Sequence, residues 1–389
     1  MSPPRVAGAG LTHFGVHPEQ TGRDLFAEAA LTALDDAGLK ATEIDELYYG
    51  NFMGELAEHQ GHQGPLVAEA IGVPERPVTR YESACASSGV ALHDAVRAVR
   101  TGEVDIALVG GAERMNNLGT AGATEGLAIA ADDLFEVRAG VTFPGAYALM
   151  ARAYFAEFGG DRSELAHVAV KNHANALPNE YAQFQREITV KEALEAPMIA
   201  EPLGLYDACP ITDGASALVL VSEAYAADND IDAPVVVSGA GQAGDTLALQ
   251  DRRDLFYTPA TSRAAEAAYA EAGIDVEAID FAEVHDCFTI AEVLAIEALG
   301  LYDPGAGLTA ARDGGTTRDG STPINLSGGL KAKGHPVGAT GTSQAVEVTR
   351  LLRGDHPNSD AVADATTGVT HNAGGTVASA TVHVLEVAE

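Results

Sequence analysis

Tyr81-Glu-Ser-Ala-Cys-Ala-Ser-Ser-Gly-Val-Ala-Leu-His-Asp-Ala-Val-Arg-Ala-Val-Arg100 is the stretch on which the reading of this chain turns. Val78 to Glu82 reads as a strand entering a tight turn of small residues. From Ala86 onward, apolar Val90, Ala91, Ala95, Val96 and Val99 recur at helical spacing. That places Cys85 on a strand-to-helix elbow at a helix N-terminus. Unpaired N–H groups and the helix dipole favour an anion there, so the thiol is expected to ionise more easily than a free cysteine. Taken alone, the stretch fits a nucleophile and a small packing thiol equally well.

Outward from the elbow, helices and strands alternate. Arg5 to Ala9 is a short strand opening into a glycine-containing segment, Gly8 to Gly15. No helix begins at its third glycine, so it is not a dinucleotide-binding fingerprint. Thr21 to Ala37 reads as an alanine-rich amphipathic helix stopped by Gly38, and Ile44 to Tyr49 as a strand. Gly61 to Ile71 is a further helix, and Val104 to Val109 a buried strand closing on Gly110-Gly111-Ala112-Glu113. This order argues for a parallel or mixed sheet covered on both faces. From about 117 to 207 the order breaks into helices (Tyr147 to Phe158, Arg162 to Ala176) and polar loops, as an insertion would. Strands resume at Ala215 to Val221 and Val235 to Val237.

The chain also repeats itself. Segment 29–52 overlays 264–287, matching Ala37 with Ala272, Gly38 with Gly273 and Ile44 with Ile279. The Cys85 helix overlays the one after His335, matching Gly89 with Gly341, Val96 with Val348 and Gly102 with Gly354. Two similar halves each place a reactive loop before a helix, and pseudo-twofold packing brings Cys85 and His335 face to face.

With 389 residues, the chain can bury a large core. It carries 56 acidic against 23 basic residues, a formal charge of −33, with 46% hydrophobic residues. That hydrophobic content and the regular elements exclude disorder, and the sign of the charge disfavours nucleic acid. An acidic surface suited to high salt is expected, with an ordinary acidic protein as the alternative. The start lacks signal-peptide features and no apolar run spans a bilayer, so the expectation is a cytoplasmic protein. Its three cysteines, Cys85, Cys209 and Cys287, are too scattered for a disulfide framework or a CxxC metal site.

Three further motifs carry chemistry. Asn325-Leu-Ser-Gly-Gly-Leu-Lys-Ala-Lys-Gly-His-Pro-Val-Gly-Ala-Thr-Gly341 sets His335 in a glycine-rich loop with little packing to do, which suits catalysis. Glu283-Val-His-Asp-Cys-Phe288 ends a strand and starts a helix. His285, Asp286 and Cys287 on one elbow converge poorly on a metal, so none is expected; a donor and an ionisable thiol suit acid–base work on a carbonyl. Thr370-His-Asn-Ala-Gly-Gly-Thr376 precedes a last strand, Val377 to Leu385, and is either an oxyanion-binding glycine loop or a plain hairpin turn. His371 stays ambiguous, and Cys209 is expected to be structural.

In order and spacing, the Cys85 elbow, the His-Asp-Cys-Phe segment, the Gly-His-Pro-x-Gly-Ala-Thr-Gly loop and the terminal glycine loop resemble the thiolases. The resemblance is narrower to the sterol-carrier-protein-type and archaeal thiolases, which share the His-Asp-Cys-Phe segment. Val141-Thr-Phe-Pro-Gly145, Val170-Lys-Asn-His173 and Asn179-Glu-Tyr-Ala-Gln-Phe184 are similar to that subgroup too. The resemblance implies an α/β fold: a five-layered αβαβα core of two pseudo-twofold βαβαβαββ halves with an inserted loop domain. The halves divide as 1–116 with 208–232, and 233–389; the insert is 117–207, expected to bind coenzyme A and make oligomer contacts. It further implies Cys85 as acyl-carrying nucleophile, His335 as its activator, and His285 with His335 at the thioester oxygen. Backbone N–H groups of Cys85 and Gly374 are expected to form a second oxyanion hole. The acid/base cysteine of the common terminal motif is missing, and Cys287 is expected to replace it. Lys331 and Lys333 flank the active loop as candidate coenzyme A contacts.

The activity so implied is acyl-CoA C-acetyl transfer, as condensation or thiolysis, with coenzyme A thioesters as substrates and no permanent cofactor. The competing expectations are a related condensing enzyme and a non-catalytic acyl-CoA-binding subunit. A homodimer or tetramer is expected, with a small zinc-ribbon/OB-fold acyl-CoA-binding protein as partner.

Overall fold

The computed structural model describes residues 2–388. Its first half runs β1 (Arg5–Leu11), α1 (Gly22–Asp36), β2 (Glu46–Gly50), β3 (Val78–Tyr81), α2 (Ser87–Thr101), β4 (Ile106–Glu113) and, after a long excursion, β5 (Gly214–Val221). The excursion carries α3 (Phe143–Phe158) and α4 (Arg162–Ala176). The second half runs β6 (Val235–Gly244), α5 (Pro259–Ala272), β7 (Phe281–Glu283), α6 (Thr289–Ala298), α7 (Thr340–Arg353), β8 (Thr367–Gly374) and β9 (Ser379–Val387).

The nine strands form one mixed sheet in the order β3-β2-β4-β5-β1-β6-β9-β8-β7. β1 and β6 join through two antiparallel pairs, Arg5 with Val236 and Val6 with Val235, so the sheet is two half-sheets sharing a narrow seam. The internal repeat is visible in the pairing. β2 lies between parallel β3 and β4. β7 lies beside parallel β8 and, where β3 would stand, makes a parallel bridge from Ala282 to Ile324.

Between the half-sheets, α2 and α7 fill the centre. Leu92, Val96, Val346 and Leu351 share one core with Val109 and Leu218 of the first half-sheet and Phe281 and Leu385 of the second. Outside the first half-sheet, Leu25 and Phe26 of α1 pack on Leu47 and Val219. Outside the second, Ala264 of α5 and Ile296 of α6 pack on Val382 and Val384. The result is the five-layered αβαβα arrangement. Alanine and glycine abundance has a cause here. A Cβ on Gly8 or Gly10 would sit 2.0 or 2.1 Å from the carbonyls of Ala33 and Ala29. One on Gly239 or Gly241 would stand 2.1 or 1.9 Å from those of Ala268 and Ala264. The outer helices therefore touch the strand backbones directly, in the same way in both halves.

Two expectations change. Residues 370–376 are not a loop ahead of the last strand, because Thr367–Gly374 is itself the fully buried strand β8, paired along its length with β9. The central helix begins at Ser87, so Cys85 stands two residues before it rather than in its first turn.

Candidate active site

Parallel strands deliver their carboxyl ends, and the loops after them, to one edge of a sheet. Cys85 follows β3, His285 and Cys287 follow β7, and His335 precedes α7. At the Cys85 elbow, Ala84 takes φ 48°. The Ser87 hydroxyl braces the turn, accepting from the Ser83 N–H at 3.0 Å and donating to the Ala84 carbonyl at 2.6 Å. Packing the two halves brings together the Cys85 sulfur and one ring nitrogen each of His285 and His335, all within 4.8 Å of one another. The imidazoles meet edge to face with centroids 5.1 Å apart. By donor type, this trio also suits a soft cation. It is drawn from three loops, whereas the sequence reading weighed only the contiguous run His285 to Cys287.

Cys85 and Cys287 open onto one cavity of about 690 Å³, together with His335, Phe288 and Gly375. Its wall is mostly apolar, with Met115, Leu127, Phe143 and Phe184 among the lining residues, and Arg186 and Lys331 supply positive charge. Such a shape suits a long, flexible ligand carrying an anionic end.

Neither partner in the Cys85–His335 pair rests charged. Burial pushes the Cys85 thiol up to about 12, against the opposing pull of the Gly375 N–H and its own N–H. Burial also pushes His335 down to about 3. The expected easy ionisation is therefore reversed, because desolvation outweighs a helix terminus that begins two residues later. The proton of His335 is fixed by its neighbour. Thr340 Oγ1 donates to the Pro336 carbonyl at 3.0 Å, so at 2.7 Å from His335 Nδ1 it must accept. Nδ1 carries the hydrogen, and Nε2, buried and without a partner, keeps a lone pair for the thiol proton. Alkylation of Cys85 by iodoacetamide should consequently rise with pH, because only the thiolate reacts, and go on rising beyond pH 9. A plateau near neutrality would show a preformed thiolate and refute this account.

Cys287 lies deeper, and burial raises its thiol well above the ordinary value, with Cys209 and Cys85 adding to the rise. The buried Tyr147 hydroxyl donates to the Gly375 carbonyl at 3.0 Å, and by turning that single hydrogen to the sulfur it opposes the rise. Cys209 lines the same cavity, and its N–H donates to the Cys287 carbonyl at 2.9 Å. Gly374 is held in β8 opposite Ser379, and the N–H that reaches Cys85 is that of Gly375. His371 sits behind His285, with Nε2 3.0 Å from the Thr261 hydroxyl, and does not line the cavity.

The two lysines part company. Lys331 Nζ lies 5.7 Å over the Tyr206 ring on the cavity wall. Lys333 Nζ is committed to Ser343 Oγ at 2.8 Å and Glu347 at 3.3 Å. Asp286 turns away from the thiols and accepts from the N–H groups of Leu330 and Lys331 and from Asn172 of α4. Lys171 of the same helix ion-pairs with Glu292 of α6 at 2.6 Å, so the Lys-Asn-His motif ties the excursion to the helix after Cys287.

Sequence reasoning passed over Tyr147, Thr340, Arg186 and Glu113. Glu113 Oε atoms accept from Asn51, Phe52, Met53 and Gly338, joining the loop after β2 to the Gly-His-Pro loop. A lone carboxylate closing the wholly buried strand β4 was the available signal.

Comparison with known proteins matches residues 5–224 to the family model "Thiolase, N-terminal domain" and residues 241–387 to "Thiolase C-terminal domain-like". An acetyl-CoA acetyltransferase of Methanothermobacter thermautotrophicus is 43% identical over 97% of this chain and 98% of its own length. The protein of the same description from Methanocaldococcus jannaschii is 38% identical over 98% of each. Among solved structures, the Ltp2-ChsH2(DUF35) aldolase aligns with TM-score 0.84 and 26% identity, covering 99% of this chain and 98% of that one.

Proposed function

The chain belongs to the thiolase family, and from that premise we propose that it is an acetyl-CoA C-acetyltransferase working through a Cys85 acyl-enzyme. One observation carries the reading: Cys85 and His335 line a cavity that also holds the second thiol, Cys287, and a ring nitrogen of His285 lies within 4.8 Å of the Cys85 sulfur and of a His335 ring nitrogen. As the Cys85 sulfur attacks the thioester carbon, its proton passes to Nε2 of His335 and then to the departing coenzyme A sulfur. Cys85 and Gly375 N–H groups face the oxygen that gains charge in this step. In condensation, Cys287 acts as a thiolate, its own proton having first left to solvent through the cavity. It takes the α-proton of a second acetyl-CoA while His285 and His335 flank the enolate oxygen, and returns that proton to the Cys85 sulfur as that sulfur is displaced. The carbanion then displaces Cys85, giving acetoacetyl-CoA; thiolysis runs the same steps backward. A non-catalytic subunit has no use for four such groups in one place.

The inserted segment 117–207, set between the half made of 1–116 with 208–232 and the half 233–389, is proposed to cover the coenzyme A tail. Arg186 of this segment and Lys331 of the second half place positive charge on the cavity wall, which supports a role at the phosphates. Exposed Ile129, Leu134, Phe135 and Leu247 supply apolar surface for a homo-oligomer or a small acyl-CoA-binding subunit. The DUF35 component of the aligned Ltp2-ChsH2(DUF35) aldolase supports the second of these. Among the described residues, no helix is long and apolar enough to cross a membrane.

The surface suits molar salt. Lys171, Lys331 and Lys333 are buried, which leaves Lys40 and Lys191 outside against the large acidic excess. Screening shortens the Debye length to ~3 Å at 1 M salt and relieves that repulsion. The purified full chain, assayed for acetoacetyl-CoA thiolysis from dilute buffer to molar KCl, is expected to be active only at high salt. No thiolysis at any salt would overturn the enzymatic reading. Full activity and stability in dilute buffer would overturn the salt requirement alone.

A further inference from the structure

Asn372 stands in β8 amid a run of buried residues, and its amide nitrogen lies 3.1 Å from His285 Nδ1. Its Oδ1 has no hydrogen-bond partner and projects to the crossing of α2 and α7. A Cβ on Gly89 would come 2.6 Å from that oxygen, and one on Gly341 2.5 Å from it. The glycine pair matched by the internal repeat thus leaves a slot between the central helices, and the Asn372 amide occupies it.

A neutral imidazole carries one N–H and one lone pair. The amide nitrogen of Asn372 can only donate, so His285 Nδ1 must accept and the hydrogen belongs on Nε2. Nε2 is buried and has no partner within the fold. His335 has the opposite arrangement, with its hydrogen on Nδ1 against Thr340. Burial first, then His335 and His371, keep His285 well below the ordinary imidazole value, so it stays neutral and its tautomer matters. The two rings facing Cys85 are therefore not equivalent: one accepts and the other donates.

We propose that Asn372 is a positioning residue that fixes His285 as an Nε2–H donor to the thioester oxygen of the substrate, leaving proton acceptance to His335. The assignment rests on the reading of His285 as that donor. No hydrogen bond joins Asn372 to Cys85 or Cys287, so its effect should fall on enolate formation more than on acyl transfer.

Two measurements on the full chain separate these points. With 15N-labelled histidine, long-range 15N–1H spectra distinguish the tautomers, and the His285 signals are identified by their loss in His285→Ala. The wild-type protein is expected to show His285 protonated at Nε2; protonation at Nδ1 would overturn the proposal whether or not any variant folds. Asn372→Leu removes the donor at similar volume. The variant should lose the dominance of the Nε2–H form. Its α-proton exchange on acetyl-CoA in deuterated buffer should fall relative to acetyl transfer onto Cys85, on the order of 10²-fold, the scale of losing one oxyanion donor. Equal losses in both reactions would reduce Asn372 to a packing role. Normal exchange in His285→Ala would instead sink the donor reading of His285, while the spectra still report the tautomer.

Discussion

Cys85→Ala is expected to abolish turnover in both directions, a loss on the order of 10⁶-fold, the scale seen when a covalent nucleophile is removed. The reason is stoichiometric. The acyl group must be held by the protein between departure of one coenzyme A and arrival of the next acceptor, and an alanine methyl forms no thioester. Neither Cys209 nor Cys287 substitutes, because the elbow after β3 alone places a sulfur beside His335 Nε2 and the Gly375 N–H. The fold should survive, since the change deletes one buried atom between Ala84 and Ala86, within the ordinary ~1 kcal/mol of a point substitution. Incubation with labelled acetyl-CoA followed by peptide mapping should find label on Cys85 in the wild type and none in the variant. Label on Cys209 or Cys287 would refute the assignment.

Much of this site was legible because its chemistry is carried by motifs with a backbone reason. A thiol on an elbow of small residues and a histidine between Gly334 and Pro336 mark loops built for a ligand, and the repeat told that they meet. What the sequence concealed depends on burial. Helical spacing located α2 but not the depth of Cys85, and depth reversed the expected direction of its ionisation. Residues 370–376 read as a loop because glycine and polar residues crowd there. β8 lies between two helical layers, so both of its faces are buried and no apolar–polar alternation remains. Lys331 and Lys333 look alike in sequence, yet the turn Gly329–Lys333 sends one to the cavity and the other to Glu347. Asn372 and Tyr147 gave no signal, since their partners, His285 and Gly375, lie 87 and 228 residues away along the chain.

Cys287→Ala should divide the reaction where Cys85→Ala ends it. No cysteine stands in the terminal segment 370–376, where Asn372 lies against His285 instead. Cys287 is the remaining thiol that contacts a proton-bearing partner, the Tyr147 hydroxyl, while its side chain still opens onto the cavity. A thiol raised this far is a poor resting base. Its thiolate, once formed, is a strong one, and the Tyr147 hydroxyl lowers the cost of forming it. The variant should therefore still take acetyl label on Cys85, yet lose α-proton exchange and condensation by 10²–10⁴-fold, on the order expected for a positioned general acid or base. Near-normal exchange would show that another group removes the proton. That role would not pass to His371, whose Nε2 is engaged by Thr261 behind His285. It would pass to Cys209, the other thiol on the cavity wall, and the double variant Cys209→Ala with Cys287→Ala would then be the one to lose exchange.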